Sequence, residues 1–284
     1  MDNNFLKFID QQINQKSEEF VDHFSHNVEN QSNHVQISDL RFDLNIAYQH
    51  KVALHFIASI YNKLSQEIND MTNFRKENKL IDIGSKFSEV ISCSQYFNCC
   101  HVECRIGEEF KQAPMPIIAL DISLFDCEAQ NILKHIPEKT YKIVTCLHAL
   151  EHFGLGRYGD EIDYYGDQKG LKVFNKLLKD EGYLVLSVPY RYQVAAMIEY
   201  NSQRVYSTQA IDDMLAKNGF ELLDYVQIDP FMTTNVSDKN GEIKQVPTPL
   251  HRLKEANVGE IDNNPSSRVP VGVYITLAKK INNK

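Results

Sequence analysis

The stretch YKIVTCLHALEHFGLGRYGDEIDYYGD, residues 141–167, decides the fold prediction, because a strand runs directly into a polar, glycine-rich loop. Its first seven residues form a short apolar run rich in β-formers, which predicts a buried strand. The titratable side chains His148, Glu151 and His152 follow, and then a glycine-rich loop. Open α/β sheets bind ligands beyond the carboxyl ends of their strands. The stretch therefore predicts the ligand-binding edge of such a sheet.

Strand patterns alternate with helical patterns on both sides of this stretch. The other predicted strands are 79–83, 100–104, 117–120, 183–188, 220–228 and 271–278. Predicted helical segments are 90–96, 127–135, 170–179 and 208–218, the last closed by Gly219. No helical pattern separates the final two strands, so they are expected to pair as a hairpin. The pattern predicts an α/β fold, a mainly parallel seven-stranded sheet with helices on both faces and the last strand antiparallel.

Residues 1–76 predict a helical extension that precedes the sheet domain, 77–284. A loosely amphipathic segment with a connector covers 1 to about 38, and residues 44–64 predict one helix whose wide apolar face packs over the sheet. Between the last two strands, residues 231–267 are a polar insertion without clear periodicity.

Composition and charge narrow the function classes. The chain has 284 residues, 43% of them hydrophobic, and a net charge of −8. The negative charge argues against a nucleic-acid binder. Because no apolar run is long enough to span a membrane and no signal pattern is visible, a cytoplasmic location is expected. The spacing of Cys93, Cys99, Cys100 and Cys104 contains no CxxC pair, so buried thiols are expected instead of a metal site or disulfides.

Polar residues follow three consecutive predicted strands. Asp82, Gly84 and Ser85 form the turn after the first strand, where glycine allows the backbone to approach a ligand. Glu103 ends the second strand about 20 residues after that glycine, the position from which an acid binds ribose hydroxyls. Residues 121–122 follow the third strand, where an adenine would lie. The joint placement predicts a nucleotide-type ligand.

Four strings, LIDIGS (80–85), LHALEHFGLGRYGD (147–160), LSVP (186–189) and RVYS (204–207), carry a resemblance. Together they resemble an uncharacterised family of class I S-adenosylmethionine (SAM)-dependent methyltransferase-like proteins, often associated with bacterial surface-polysaccharide biosynthesis. The similarity covers roughly residues 45–230. Family members commonly have FNAHR before Val-Tyr-Ser, whereas this chain has EYNSQR, with Gln203 in place of the histidine.

The resemblance implies the class I methyltransferase (Rossmann-like) fold and SAM as the cofactor. The methionine part would meet Asp82, Gly84 and Ser85, the ribose Glu103, the adenine Asp121 and Ile122, and the sulfonium Leu147 and His148. The implied acceptor is a small polar molecule, such as a sugar-containing or phosphate-containing precursor of a surface polysaccharide.

Transfer to a hydroxyl requires a base. His148 or His152 has the appropriate chemistry, and Glu151 could orient either one or cap a helix. Arg157 is a candidate clamp for an acceptor phosphate or carboxylate. The loop that follows, with its glycines and tyrosines, is expected to close over the acceptor as a lid.

Three alternatives stay open on the sequence. The string from His148 to His152 matches H-x-x-E-H, the inverted zinc-protease motif. Asp160, Asp163 and Asp167 could hold a divalent ion for a metal-assisted methyltransferase. The fold could also serve as a binding or scaffolding module, and the 44–64 helix could form a homo-oligomer interface.

Overall fold

The computed structural model describes residues 35–66, 68, 70–85, 93–103, 115, 117–119, 133, 136–156, 162–191, 197–199, 203–228, 231–237, 243–249 and 272–282. The helices are α1 (Val35–Ser65), α2 (Met71–Glu77), α3 (Gly166–Leu177) and α4 (Thr208–Lys217). The strands are β1 (Lys79–Ile83), β2 (Asn98–Glu103), β3 (Ile117–Ala119), β4 (Tyr141–Leu147), β5 (Leu178–Tyr190), β6 (Met197–Glu199), β7 (Gln203–Val205), β8 (Phe220–Ile228), β9 (Phe231–Ser237), β10 (Ile243–Pro249) and β11 (Gly272–Lys280).

Seven strands form one sheet in the order β3-β2-β1-β4-β5-β11-β8. The pairs among β3, β2, β1, β4 and β5 are all parallel. The last strand, β11, lies between β5 and β8 and is antiparallel to both. This confirms the predicted mainly parallel seven-stranded sheet and its antiparallel last strand.

Apolar side chains fill both faces of the sheet. On one face, Phe56, Ile57 and Ile60 of α1 join a cluster that includes Ile143 and Ile275. On the other face, α3 and α4 cover the strands, and the helical members of that cluster are Leu171, Val173, Phe174, Leu177, Ile211 and Leu215. Helices therefore cover both faces, as predicted, because successive strand residues point to opposite sides.

The N-terminal helices differ in extent from the prediction. Helix α1 begins at Val35, within the segment predicted as a connector, and ends at Ser65. A separate helix, α2, follows because the Asp70 carboxylate accepts hydrogen bonds from the backbone N–H groups of Thr72 and Asn73 and caps it. The predicted packing of the 44–64 helix over the sheet is confirmed by the α1-face cluster.

Several element boundaries were predicted wrongly. β2 begins at Asn98, and α3 begins at Gly166 and ends at Leu177. The predicted end of the fifth strand at Pro189 is also wrong, since β5 continues to Tyr190. Proline is tolerated here because its carbonyl accepts from the Tyr206 N–H on the side away from β11, so its missing N–H removes no bond to that strand.

The polar insertion contains a regular element that the sequence analysis missed. Strands β9 and β10 pair antiparallel with one another, from Phe231 opposite Pro249 to Ser237 opposite Ile243. Two prolines and several polar residues in this segment hid the strand signal, because an isolated two-stranded ribbon does not require an apolar alternation. The predictions for 1–34, 90–92 and most of 127–135 lie outside the described residues. Within the described part, no helix is both long and apolar enough to cross a membrane.

The packing of α1 generates a stability prediction. Ile57 is fully buried against the sheet, so Ile57→Ala should leave a cavity and lower the free energy of unfolding by about 2 to 5 kcal/mol. Denaturant unfolding measures the change. The control is Ser59→Ala on the exposed side of the same helix, which should alter it by less than about 0.5 kcal/mol. Equal effects at both positions would mean that α1 is not anchored on the sheet.

Candidate active site

The turn after β1 has the backbone that its glycine requires. Gly84 has φ of +69°, and a Cβ built on it would lie 3.0 Å from the Ala149 Cβ. Its N–H donates to the Val102 carbonyl at 3.0 Å. The turn therefore touches the segment after β4 on one side and binds β2 on the other. A side chain at position 84 would be strained by its φ and crowded by Ala149.

Asp82 and Ser85 take part in a buried hydrogen-bond network between β1 and β4. One Asp82 oxygen, Oδ1, accepts from the Ser85 hydroxyl at 2.6 Å and from the Thr145 hydroxyl at 2.5 Å. The Ser85 hydroxyl oxygen accepts from the Leu147 N–H at 2.9 Å. Both residues are 1% exposed. These polar atoms join β1 to β4. The predicted contact of Asp82 and Ser85 with the methionine part of a cofactor stays a prediction.

The predicted place of Leu147 beside the sulfonium also stays a prediction. Its side chain is 2% exposed and belongs to the core cluster on the α1 face. Only its backbone contributes to the site, through the hydrogen bond to Ser85.

His101 is a charged residue of this region that the sequence analysis missed. Its Nδ1 lies 2.8 Å from Asp82 Oδ2, and its Nε2 lies 3.6 Å from Glu103 Oε2. Burial by itself lowers the pKa of His101, but the two carboxylates outweigh it and raise that pKa to about 9. Because residues two apart in a strand share a face, the spacing His-x-Glu was the available signal.

His148 directly follows β4 and has an unusual backbone. Its φ is +53°, which is uncommon for a residue other than glycine. The conformation is held from β5, where the Ser187 carbonyl and hydroxyl oxygens both accept from the His148 N–H at 3.1 Å. The His148 side chain is 24% exposed, so a rigid backbone presents a partly accessible imidazole.

Glu151 lies beneath that imidazole, on a single 3-10 turn, Leu150–His152. Its Oε1 is 2.9 Å from His148 Nδ1 and 3.7 Å from His152 Nε2, and its side chain is 1% exposed. Burial raises the pKa of Glu151, but the two histidines together lower it by more than burial raises it, so the net shift of this pKa is downward. An ionised carboxylate can only accept, so His148 Nδ1 donates to it and Nε2 is left as the basic nitrogen.

This geometry differs from the inverted zinc-protease motif. That motif requires both histidines on a regular helix as ligands, with the glutamate as base. Here His148 precedes a 3-10 turn and both histidines lie against the same glutamate oxygen. Among the described residues, no group of three or more His, Cys, Asp or Glu side chains is arranged to hold a metal ion.

Arg204 connects the 3-10 turn to the end of the glycine loop. Its guanidinium donates to the backbone carbonyls of Glu151, Phe153, Asp163 and Tyr164. The residue is only 4% exposed. One buried cation thus donates to four backbone carbonyls, of which the Asp163 carbonyl also accepts from the Gly166 N–H. Arg204 is the first residue of the string RVYS (204–207).

Asp163 and Asp167 bond to protein groups. Their candidate metal role together with Asp160, which lies outside the described residues, stays a prediction. Asp167 Oδ2 accepts from the Tyr206 hydroxyl at 3.0 Å and lies 3.6 Å from Arg204 Nε. Asp163 Oδ2 pairs with Lys169 Nζ at 2.8 Å, and its Oδ1 accepts from a backbone N–H. Different protein groups therefore orient the two carboxylates.

The described ends of the glycine loop are fixed parts of the fold. Gly154 has φ of +70°, and a Cβ there would lie 2.4 Å from the Asp163 carbonyl oxygen. The glycine is needed for this close approach. The lid expected for this stretch stays a prediction, since residues 157–161 lie outside the described residues. Arg157, Asp160, Asp121 and Ile122 lie outside the described residues.

Two of the predicted cofactor residues keep positions suited to a ligand. Gly84 and Glu103 lie at the carboxyl ends of the adjacent strands β1 and β2, and the Glu103 side chain is 15% exposed. Of the predicted catalytic residues, the structure brings together His148, Glu151 and His152 after the next strand, β4.

The order of the strands, with an antiparallel last strand between the fifth and the sixth of the main sheet, defines the class I methyltransferase (Rossmann-like) fold. Residues 94–251, more than half of the chain, match a family model described as "Caenorhabditis protein of unknown function, DUF268". The chain belongs to this family.

Solved structures with similar folds include SAM-dependent enzymes. The 1,6-didemethyltoxoflavin-N1-methyltransferase of Burkholderia thailandensis, solved with S-adenosylhomocysteine, is 11% identical with a TM-score of 0.46, covering 88% of this chain and 91% of that one. A SAM-dependent methyltransferase from Archaeoglobus fulgidus is 15% identical with a TM-score of 0.43, covering 79% and 94%. The [4+2]-cyclase SpnF is 10% identical with a TM-score of 0.46, covering 79% and 81%. No curated protein sequence matches the chain.

The Arg204 anchor generates a prediction. Arg204→Lys keeps the charge but cannot reach four carbonyls, so it should lower the free energy of unfolding by about 2 to 4 kcal/mol. Denaturant unfolding measures this. The matched control is Arg75→Lys at a partly exposed arginine that donates to the Gln95 carbonyl, which should change stability by less than about 1 kcal/mol. A tolerated Arg204→Lys would show that water or neighbouring groups satisfy the carbonyls.

Proposed function

We propose that the chain is a SAM-dependent methyltransferase that acts on a hydroxyl group of a small polar acceptor. The observation that supports it most directly is the pair His148 and Glu151, held rigidly at the end of β4, beside the strand ends that carry Gly84 and Glu103. A base and the proposed ribose-binding acid thus lie at strand ends on either side of β1 in one sheet.

These groups lie where this type of sheet binds ligands. The strand order runs outward from β1 to β3 on one side and from β4 to β5 on the other. The direction of winding therefore reverses between β1 and β4, and a crevice opens at the carboxyl ends of strands at such a point. Gly84 and His148 follow the two strands that flank it.

The residues at the β1 and β2 ends fit an adenosyl cofactor. Gly84 lets the backbone pass close to a ligand, and the Glu103 carboxylate can accept hydrogen bonds from both ribose hydroxyls. In this proposal Asp121 and Ile122 are placed at the adenine, as the sequence resemblance implies. SAM, when bound, supplies a methyl group on a positively charged sulfur, which needs no further activation by the protein.

The chain's own contribution to catalysis is a base and its orientation. His148 Nε2 would take the proton of the acceptor hydroxyl as that oxygen receives the methyl group, while the carbon–sulfur bond breaks and its electron pair stays on the sulfur of S-adenosylhomocysteine. Glu151 holds the ring through Nδ1 and stabilises the imidazolium that forms, as a buried carboxylate does for other catalytic histidines. The Ser187 contacts fix the ring's position along the strand end. General-base assistance of this kind contributes about 10²- to 10⁴-fold in rate.

The acceptor is proposed on the sequence resemblance alone. A sugar hydroxyl in a surface-polysaccharide precursor suits a base such as His148, and Arg157 is proposed to bind its phosphate or carboxylate. Arg157→Ala would then reduce turnover far more than SAM affinity.

Calorimetry with SAM and S-adenosylhomocysteine tests the proposal first. Micromolar binding of either ligand supports it. Zinc binding without binding of either ligand would support a hydrolase instead, and binding of none of the three would support a scaffolding module.

The ribose contact gives a second test. Glu103→Gln keeps the shape of the side chain but removes the negative charge that accepts the hydrogen bonds of the ribose hydroxyls. The S-adenosylhomocysteine Kd should therefore rise at least about tenfold. Calorimetry measures it, with Glu77→Gln at an exposed glutamate as the matched control. An unchanged Kd in Glu103→Gln would remove this residue from the cofactor site.

The base gives a third test. Asparagine tolerates the left-handed backbone of position 148, so His148→Asn should keep the fold and S-adenosylhomocysteine binding while kcat falls about 10²- to 10⁴-fold. Turnover is followed as S-adenosylhomocysteine formation against a panel of sugars and nucleotide sugars. His55→Asn, at an exposed histidine of α1, is the control. Full activity of His148→Asn would show that the imidazole takes no part in catalysis and that His148 only ends the strand.

A further inference from the structure

The imidazole ring of His101 lies between two carboxylates, those of Asp82 and Glu103. His101 is 0% exposed and lies on β2 opposite Asp82 of β1. Its two nitrogens face different carboxylates, Asp82 at 2.8 Å and Glu103 at 3.6 Å. Asp82 is buried in the sheet, whereas the Glu103 side chain is 15% exposed at the strand end. The ring thus links a structural acid to an acid at the crevice.

We propose that His101 is the positioning residue for the cofactor's ribose: its buried ring ties the Glu103 carboxylate to Asp82, so that Glu103 presents its oxygens to a vicinal diol. The proposal rests on the proposed function and deepens it. It assigns diol selectivity to a residue that does not itself touch the cofactor.

Electrostatics explains why a cation is needed there. Without it, the Asp82 and Glu103 carboxylates, which now lie on opposite sides of one imidazole ring, would repel each other, and Glu103 would turn toward solvent or take up a proton. Either change would remove the acceptor pair from the ribose. A glutamate has three side-chain torsions, so an ion pair that fixes its end reduces the freedom lost on binding the diol.

Deprotonation of His101 should weaken its ion pair with Glu103, so a change of pH tests this ion pair. The His101 pKa of about 9 lies above the usual value for histidine, so the ring is charged below that pH and the link weakens as the pH rises through it. The nearby thiols do not interfere, because burial and the Asp82 charge raise the pKa of Cys100 to about 11 and raise those of Cys99 and Cys146 further. The other facing groups described are Asp82, Glu103 and the neutral hydroxyl of Thr145, which bonds to Asp82.

The experiment compares S-adenosylhomocysteine with its 2′-deoxy analogue. The ratio of their two Kd values isolates the ribose hydroxyl, because the ligand's own amino group titrates equally in both. The ratio is measured by calorimetry in the wild-type chain and in His101→Gln, both below and above the His101 pKa, with His55→Gln as the control.

In the wild type below that pKa, the 2′-deoxy analogue should bind at least about tenfold more weakly. In His101→Gln the penalty should shrink to about threefold or less at either pH, and in the wild type it should shrink in the same way as the pH rises past the pKa. If His101→Gln does not fold, the wild-type pH dependence decides alone.

Two results would overturn the assignment. A His101→Gln chain that keeps the full penalty, or a wild-type penalty unchanged across the His101 pKa, refutes the role of His101 while the proposed function stands. Failure of the wild type to bind S-adenosylhomocysteine at all refutes the proposed function and this assignment together.

Discussion

The carboxylate of Asp82 is the contact on which the ligand-binding edge depends. It accepts from Ser85 in its own turn and from Thr145 on β4, and it pairs with His101 on β2. This one buried carboxylate therefore connects three adjacent strands, β2, β1 and β4, near their carboxyl ends. Burying a carboxylate costs stability unless such partners surround it. The requirement explains why polar residues occur in the middle of otherwise apolar strands.

A second buried charge, Arg204, does the same for the segments beyond the sheet. It binds four backbone carbonyls around the 3-10 turn and at the end of the glycine loop, and it lies beside Asp167, which also accepts from Tyr206. The turn that carries Glu151 is thereby fixed to β7. Since Glu151 orients His148, the rigidity of the proposed base depends on an arginine that contacts neither the base nor the crevice.

The two networks divide similar residue types between structure and chemistry. Asp82, Asp163 and Asp167 bond to protein groups, whereas Glu103 and His148 have partly exposed side chains at strand ends. A position at the carboxyl end of a main-sheet strand, with a buried partner behind the side chain, distinguishes the second group from Asp163 and Asp167. An acidic or glycine-rich sequence by itself does not separate the two.

The sequence by itself determined the seven strands, their alternation with helices, the antiparallel last strand and the cluster at 148–152, because periodicity and turn residues are local properties. It did not determine that β9 and β10 form a ribbon, or that Asp82 and Ser85 face inward. Nor did it show the roles of His101 and Arg204, whose partners, apart from Glu103, lie 19 to 53 residues away in the chain. Only the tertiary structure decided these, because the partners of a buried charge are set by which strands become neighbours, and that order is not written in any single segment.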